Sequence, residues 1–258
     1  MEFWSLVFQT SFVVFSSMAL LWLLSVILKN VSIVDIFWGS SFSVAALSYM
    51  YQSSPLGPSQ LFFLGAIFMW ATRLSLYLAF RNYGKPEDRR YVKIRKNTGP
   101  SFWWKSFFTI FLFQGFLSLV IGLPIAHFFY SGLPETSLIF YIGLTVIIAG
   151  TIYETVADWQ LSQFLANDKN KNKVMDKGLW SLSRHPNYFG DFVVWWGIYI
   201  CAISTGSGYW TAIGPLIMSF ALYKFTGAGL LEEDIEERRP GYKEYVNQTP
   251  LFFPKWPS

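Results

Sequence analysis

Long apolar runs separated by shorter polar ones dominate the chain, and their lengths match the thickness of a bilayer. A helix rises about 1.5 Å per residue against a hydrocarbon core of about 30 Å, so a run of roughly twenty apolar residues reads as a spanning helix. Seven such runs are marked: Phe3 to Leu28, Val31 to Tyr51, Gln60 to Phe80, Phe102 to His127, Ser137 to Asp158, Tyr188 to Ile203 and Tyr209 to Leu230. The second carries Asp35 and the sixth is short. The pattern predicts an all-α fold, a polytopic seven-transmembrane-helix bundle that makes one integral membrane domain of residues 1–258. The tail Leu231 to Ser258 is too charged to span and is expected to start as a helix and break at Pro240-Gly241.

Charge between the runs predicts orientation. Lys29 lies between the first and second, and eight basic residues from Arg81 to Lys105 lie between the third and fourth. Lys169, Lys171, Lys173, Lys177 and Arg184 lie between the fifth and sixth, and Arg238, Arg239, Lys243 and Lys255 follow the seventh. The alternate connections, Gln52 to Ser59, Phe128 to Thr136 and Ser204 to Gly208, contain no Lys or Arg. The positive-inside rule then puts the amino terminus outside and the carboxyl terminus in the cytoplasm.

Composition supports this class: 53% of residues are apolar, 20% aromatic and only 14% charged. Twelve Trp and fourteen Tyr fit side chains that collect at bilayer interfaces. The basic balance follows topology, so nucleic acid is not an expected partner. The single Cys201 excludes an intrachain disulfide, and with only His127 and His185 beside it no metal-ligand cluster is expected. Met1-Glu2 lacks the positive charge of a signal peptide, and the first run is expected to be retained as a span. The setting is a bacterial inner membrane, or an endoplasmic reticulum membrane in a eukaryote.

One polar stretch organises the rest: Ser183-Arg184-His185-Pro186-Asn187-Tyr188-Phe189-Gly190-Asp191, running straight into an apolar helix. Pro186 suits a first helical turn and pushes His185 towards an extended conformation. Free N–H groups there, beside Arg184 and His185, suit a phosphate or carboxylate, and an ordinary helix start with interfacial anchors is equally consistent. Gly190 is expected to leave one face of that turn bare.

Charges inside spans are costly and face a partner, a cavity or a site. Asp35 lies about one turn into the second span and Arg73 about two turns into the third, and the two could pair. Glu154 and Asp158, four apart, share a helical face at the cytoplasmic end of the fifth span. Trp70, Arg73 and Tyr77 share a face of the third. Lys224, Glu232 and Glu233 follow the seventh span to the same surface. With Arg184 and His185 these groups converge on the inner half of the membrane, which predicts a polar cavity open to the cytoplasm. Neither a Gly-x-Ser-x-Gly elbow nor a Gly-rich phosphate loop is present, which argues against nucleophilic hydrolysis and a Rossmann-type fold. A large anionic cofactor would fit, with Arg184 and the helix start on its phosphates and Glu154 and Asp158 on ribose hydroxyls or an adenine amino group.

The segment Arg184 to Asp191, the upstream Glu154-x-x-x-Asp158-x-Gln160-Leu161, and Glu232-Glu233 followed by Pro240-Gly241-Tyr242-x-x-Tyr245 resemble the steroid 5-alpha-reductase superfamily. Val34-Asp35-x-x-Trp38-Gly39 and Arg73-Leu74-x-x-Tyr77-x-x-x-Arg81 resemble its mostly bacterial branch of uncharacterised membrane proteins. The resemblance implies NADPH in the cytoplasmic half and an enone-bearing, steroid-like or other lipid substrate whose conjugated double bond is reduced. It implies a carboxyl-terminal cofactor half of about residues 137–258, with cofactor contacts at Glu154, Asp158, Arg184, His185, Asn187, Tyr188, Asp191, Glu233 and Arg238. Glu154 stands where the reductases tend to have Asn, and Trp70 stands at the position of their carbonyl-gripping Tyr. The nearest acidic match to their Glu is Asp35, and Asp35, Arg73 and Tyr77 are the candidate catalytic residues.

The carboxyl half also resembles isoprenylcysteine and phospholipid methyltransferases, so S-adenosylmethionine is the alternative cofactor. A non-enzymatic lipid-binding or transport protein is the third expectation. It calls for polar groups continuing into the outer half, which the sequence lacks. Membrane lipids and a lipid-like small molecule are the expected partners, and no protein partner is indicated.

Overall fold

A computed structural model describes residues 2–53, 56–131, 137–225 and 239–255. Among these every regular element is helical: α1 Phe3–Leu28, α2 Ile33–Gln52, α3 Pro58–Asn82, α4 Arg89–Thr98, α5 Phe102–Ser106, α6 Phe113–Ile121, α7 Leu123–Tyr130, α8 Leu138–Ala166, α9 Pro186–Ile203, α10 Ile213–Phe220 and α11 Tyr242–Gln248. Five helical stretches are long and apolar enough to cross a membrane, Phe3–Leu28, Ile33–Gln52, Pro58–Asn82, Arg89–Ile121 and Leu138–Ala166. Their outward faces are apolar: on α1 alone Trp4, Phe8, Phe12, Leu20 and Ile27 are exposed. An apolar surface of that extent marks a membrane protein.

Element positions follow the hydrophobic pattern, with three differences. The expected fourth span, Phe102 to His127, is longer and broken. It continues helically from the basic stretch at Arg89, passes through a π-helical segment Phe107–Leu112, and breaks at Gly122 before Pro124. Pro124 falls in the first turn of α7, where a missing N–H costs nothing. The fifth span does not end at Asp158, because α8 continues two turns to Ala166. The expected seventh span is described only as far as residue 225: a 3₁₀ turn Tyr209–Ala212, α10, and a π-helical turn Ala221–Phe225. Gly241, at φ +88, precedes α11, and the expected helix at the start of the tail lies outside the described residues.

The tightest packing is between α8 and α9, and glycine makes it. Gly143 and Gly150 are seven apart on α8, and Gly190 and Gly197 are seven apart on α9. A Cβ on Gly150 would lie 2.8 Å from the Gly190 carbonyl oxygen, on Gly190 2.7 Å from the Glu154 backbone nitrogen, and on Gly197 2.7 Å from the Ile147 nitrogen. Two turns of spacing keep the bare positions on one stripe, so the backbones meet without side chains between them. Gly190 therefore leaves a bare face, as its place in the first turn suggested, and the α8 backbone fills it. Gly190 seats α9 against α8 at Glu154. Beneath that contact Phe42, Trp70 and Trp195 pack together, with ring centroids 4.6 Å apart for Phe42–Trp195 and 5.5 Å for Trp70–Trp195.

Candidate functional site

The site grows from the α8–α9 seam and the face of α3 turned towards it. Glu154 and Asp158, one turn apart on α8, both reach Arg73 of α3: its Nη1 lies 2.6 Å from Glu154 Oε1, and its Nη2 donates to Asp158 Oδ2. Asn187 Nδ2 of α9 donates to the other oxygen, Asp158 Oδ1, at 3.0 Å. Glu154 is 3% and Asp158 2% exposed, so the pairing is screened little by water. The Arg73 guanidinium also lies over the Tyr77 ring at 5.6 Å, and Arg81 over the same ring at 5.7 Å. The face read on α3 is thus real, with Trp70 buried below Arg73 and Tyr77 above it.

Asp35 is not part of this cluster, and the pairing of Asp35 with Arg73 does not form. Asp35 Oδ2 lies 2.7 Å from Arg90 Nη2, and Asp35 Oδ1 accepts from the Tyr91 hydroxyl at 2.6 Å, while Gln114 Nε2 donates to the same Tyr91 oxygen at 3.3 Å. The competing partner is local geometry: α4 folds back over the start of α2 and delivers Arg90 and Tyr91 to Asp35. The turn before α4 is tied to the same place. Glu87 Oε1 accepts from the Val31 N–H at 2.8 Å, Arg95 donates to Glu87 at 2.7 and 2.9 Å, and Ser32 Oγ accepts from the Asp88 N–H at 2.7 Å. Burial works to raise the Glu87 carboxyl, but the hydrogen bonds from Arg95 and Val31 outweigh it and hold it below its usual value. Asp88 is lowered in the same way, burial being outweighed by its bonds to Arg90.

The segment leading into α9 is latched from two sides. Trp180 Nε1 donates to the Ala157 carbonyl of α8 at 2.9 Å, and Gln160 Oε1 accepts from the Leu179 N–H at 2.9 Å. From the tail, Pro250 accepts from the Arg184 N–H at 3.0 Å, Phe252 from the Ser183 hydroxyl at 2.8 Å, and the Tyr245 hydroxyl donates to the Trp180 carbonyl at 2.5 Å. α9 begins at Pro186, and His185 before it is extended in φ at −134°, with its ring stacked on Tyr188 at 5.5 Å. Asn187 and Asp191, one turn apart, then face α8.

Of the sequence-predicted residues, the structure brings together Arg73, Tyr77, Glu154, Asp158, Asn187 and Asp191, with Arg184, His185 and Tyr188 at the adjoining start of α9. It places Asp35 in a separate network. Glu233 and Arg238 lie outside the described residues. The sequence reading missed Trp195, Arg81, Arg90 and Tyr91. Trp195 carried a usable signal, since it lies one helical turn after Asp191, whereas nothing local links Arg90 to Asp35 across 55 positions. Among the described residues no group of His, Cys, Asp and Glu could hold a metal ion.

A family model described as a protein of unknown function (DUF1295) matches residues 21–249. The chain belongs to the DUF1295 family. No curated protein and no solved structure matches it. The DUF1295 match spans every residue of the cluster.

Proposed function

We propose that this protein is an NADPH-dependent membrane oxidoreductase that reduces a carbon–carbon double bond conjugated to a carbonyl in a steroid-like or other lipid substrate. The observation that carries the reading is the meeting of α3, α8 and α9 side chains in one buried polar cluster next to a helix start bearing Arg184 and His185. The bundle crosses the membrane seven times, with its amino terminus outside and this cluster towards the cytoplasm, in a bacterial inner membrane or the endoplasmic reticulum. A lipid-like substrate enters from the bilayer.

The donor set fits such a cofactor in kind. Asn187 Oδ1 is buried without a hydrogen-bond partner and suits a ribose hydroxyl or an amide N–H. Arg184, His185 and the start of α9 suit phosphates, and Tyr188 and Asp158 suit the cofactor's hydroxyls. Arg73 serves a different end: engaged by Glu154 and Asp158, it fixes the acidic face rather than reaching for phosphate. Bound NADPH supplies a hydride, and the protein's share is to orient it and to exclude water.

One observation favours a second reading. Arg73 faces three carboxylates, Glu154, Asp158 and Asp191, and that surplus of negative charge suits the sulfonium of S-adenosylmethionine better than a polyanion. In this reading the protein is a methyltransferase of a lipid or prenylated group. Equilibrium binding of both cofactors to one preparation of the full chain in detergent separates the two. The reductase reading expects NADPH to bind, with affinity that falls steeply with salt and drops in Arg184→Ala. Binding of S-adenosylmethionine alone overturns it, and binding of neither removes both.

A further inference from the structure

At the deep end of the cluster two carboxyl oxygens, in residues that the resemblance gives to the cofactor, stay outside its internal pairing. Glu154 Oε2 and Asp191 Oδ1 are buried without hydrogen-bond partners, in residues 3% and 6% exposed. They belong to the two helices that touch at Gly190, where the backbones are too close for a Cβ. The charged neighbours of Glu154 are Arg73, at 2.6 Å, Asp191 and Asp158. Facing Asp191 are Arg73 and Trp70 of α3, Asp158 of α8 and Trp195 of its own helix. Both indole N–H groups, 0% exposed and without a hydrogen-bond partner, lie beside Asp191.

Three carboxylates stand against the guanidinium of Arg73 and the more distant charge of Arg81, which acts on Asp158. One negative charge is left over in a place where charge is expensive. Two adjacent carboxylates that cannot both ionise share a proton. A metal cation would close the same balance, but two N–H groups beside the carboxylate oppose one.

We propose that Glu154 and Asp191 form a proton-holding carboxyl pair, in which Glu154 Oε2–H donates to Asp191 Oδ1, and that this pair is the proton source for the proposed reduction. That role rests on the reductase reading; the resident proton does not. In the reaction the O–H bond of the pair breaks and its electrons stay on the carboxylate. The proton goes to the enolate left by hydride addition, and cytoplasmic water restores it. The assignment moves the acid from Asp35, which is committed to Arg90 and Tyr91.

Infrared difference spectroscopy on the full chain in detergent at neutral pH, without cofactor or substrate, tests the pair. Wild type minus Asp191→Asn and wild type minus Glu154→Gln should each show the carbonyl band of a protonated carboxyl, shifted in D₂O. Wild type minus Asp35→Asn, at a carboxylate paired with Arg90 outside the cluster, should show only the loss of an ionised carboxylate. Removing either partner leaves the other ionised, facing Arg73, so the band must vanish in both variants. Its persistence in either one, or its absence from the wild type, overturns the pair. Circular dichroism checks each fold, and if Asp191→Asn does not fold, Glu154→Gln decides alone. Because no cofactor is present, this outcome is independent of the NADPH binding experiment.

Discussion

Arg73 sets the energetics at the scale of single residues. It satisfies two buried carboxylates at once, through different nitrogens of one planar fork, which a lysine cannot reproduce. Arg73→Ala leaves both uncompensated, and we expect it to lower stability by about 3–5 kcal/mol. Arg73→Lys should fall between that variant and the wild type. Thermal unfolding in detergent measures both. Asp35→Asn should cost about 1 kcal/mol or less, since its partner Arg90 is 45% exposed in the side chain and the Tyr91 bond survives. A loss as large as that of Arg73→Ala would show that the Asp35 network matters to the bundle as much as the α3–α8 pairing does.

At the scale of elements, the glycine stripe sets how closely α8, which carries Glu154, and α9, which carries Asp191, approach. Gly190→Ala would push a methyl group against the Glu154 backbone, and backbone cannot swing aside as a flexible side chain can. We expect about 1–3 kcal/mol of destabilisation, as for overpacking in a tight core. Gly65→Ala on α3 is the control: nothing lies within 4 Å of the added Cβ, and helix propensity should make it neutral or stabilising by up to about 1 kcal/mol. If both variants unfold alike, the seam is not the close contact described. The existence of α1, α2, α3 and α8 was legible in the sequence because each is a long apolar run whose length a membrane dictates, and that of α9 because a shorter apolar run follows Pro186. The break at Gly122 was hidden inside one such run, since hydropathy does not register backbone geometry.

For the whole molecule, the connection from α3 to α4 clamps the turn before α2 through Glu87. Its carboxyl is held below the usual glutamate value of 4.5, so the ionised form favours the folded state. The stabilisation is present above about pH 4.5 and is lost as pH falls through the lower folded value. Wild type should therefore lose melting temperature on acidification, and Glu87→Gln should start lower at neutral pH and fall less steeply. Parallel melting curves for the two would rule out Glu87 as the clamp.

The sequence by itself determined which segments are helical and apolar, where α9 starts, and which ionisable residues are unusual for their surroundings, because those properties follow from local composition, proline geometry and the cost of charge in lipid. The partners of those residues were decided by tertiary structure alone. Arg73 stands two turns from one end of its helix in any arrangement, yet whether it meets Asp35 or Glu154 and Asp158 depends on which helices touch. That choice is made by the glycine seam and by the fold of α4 over α2, both of them contacts between positions far apart in the chain.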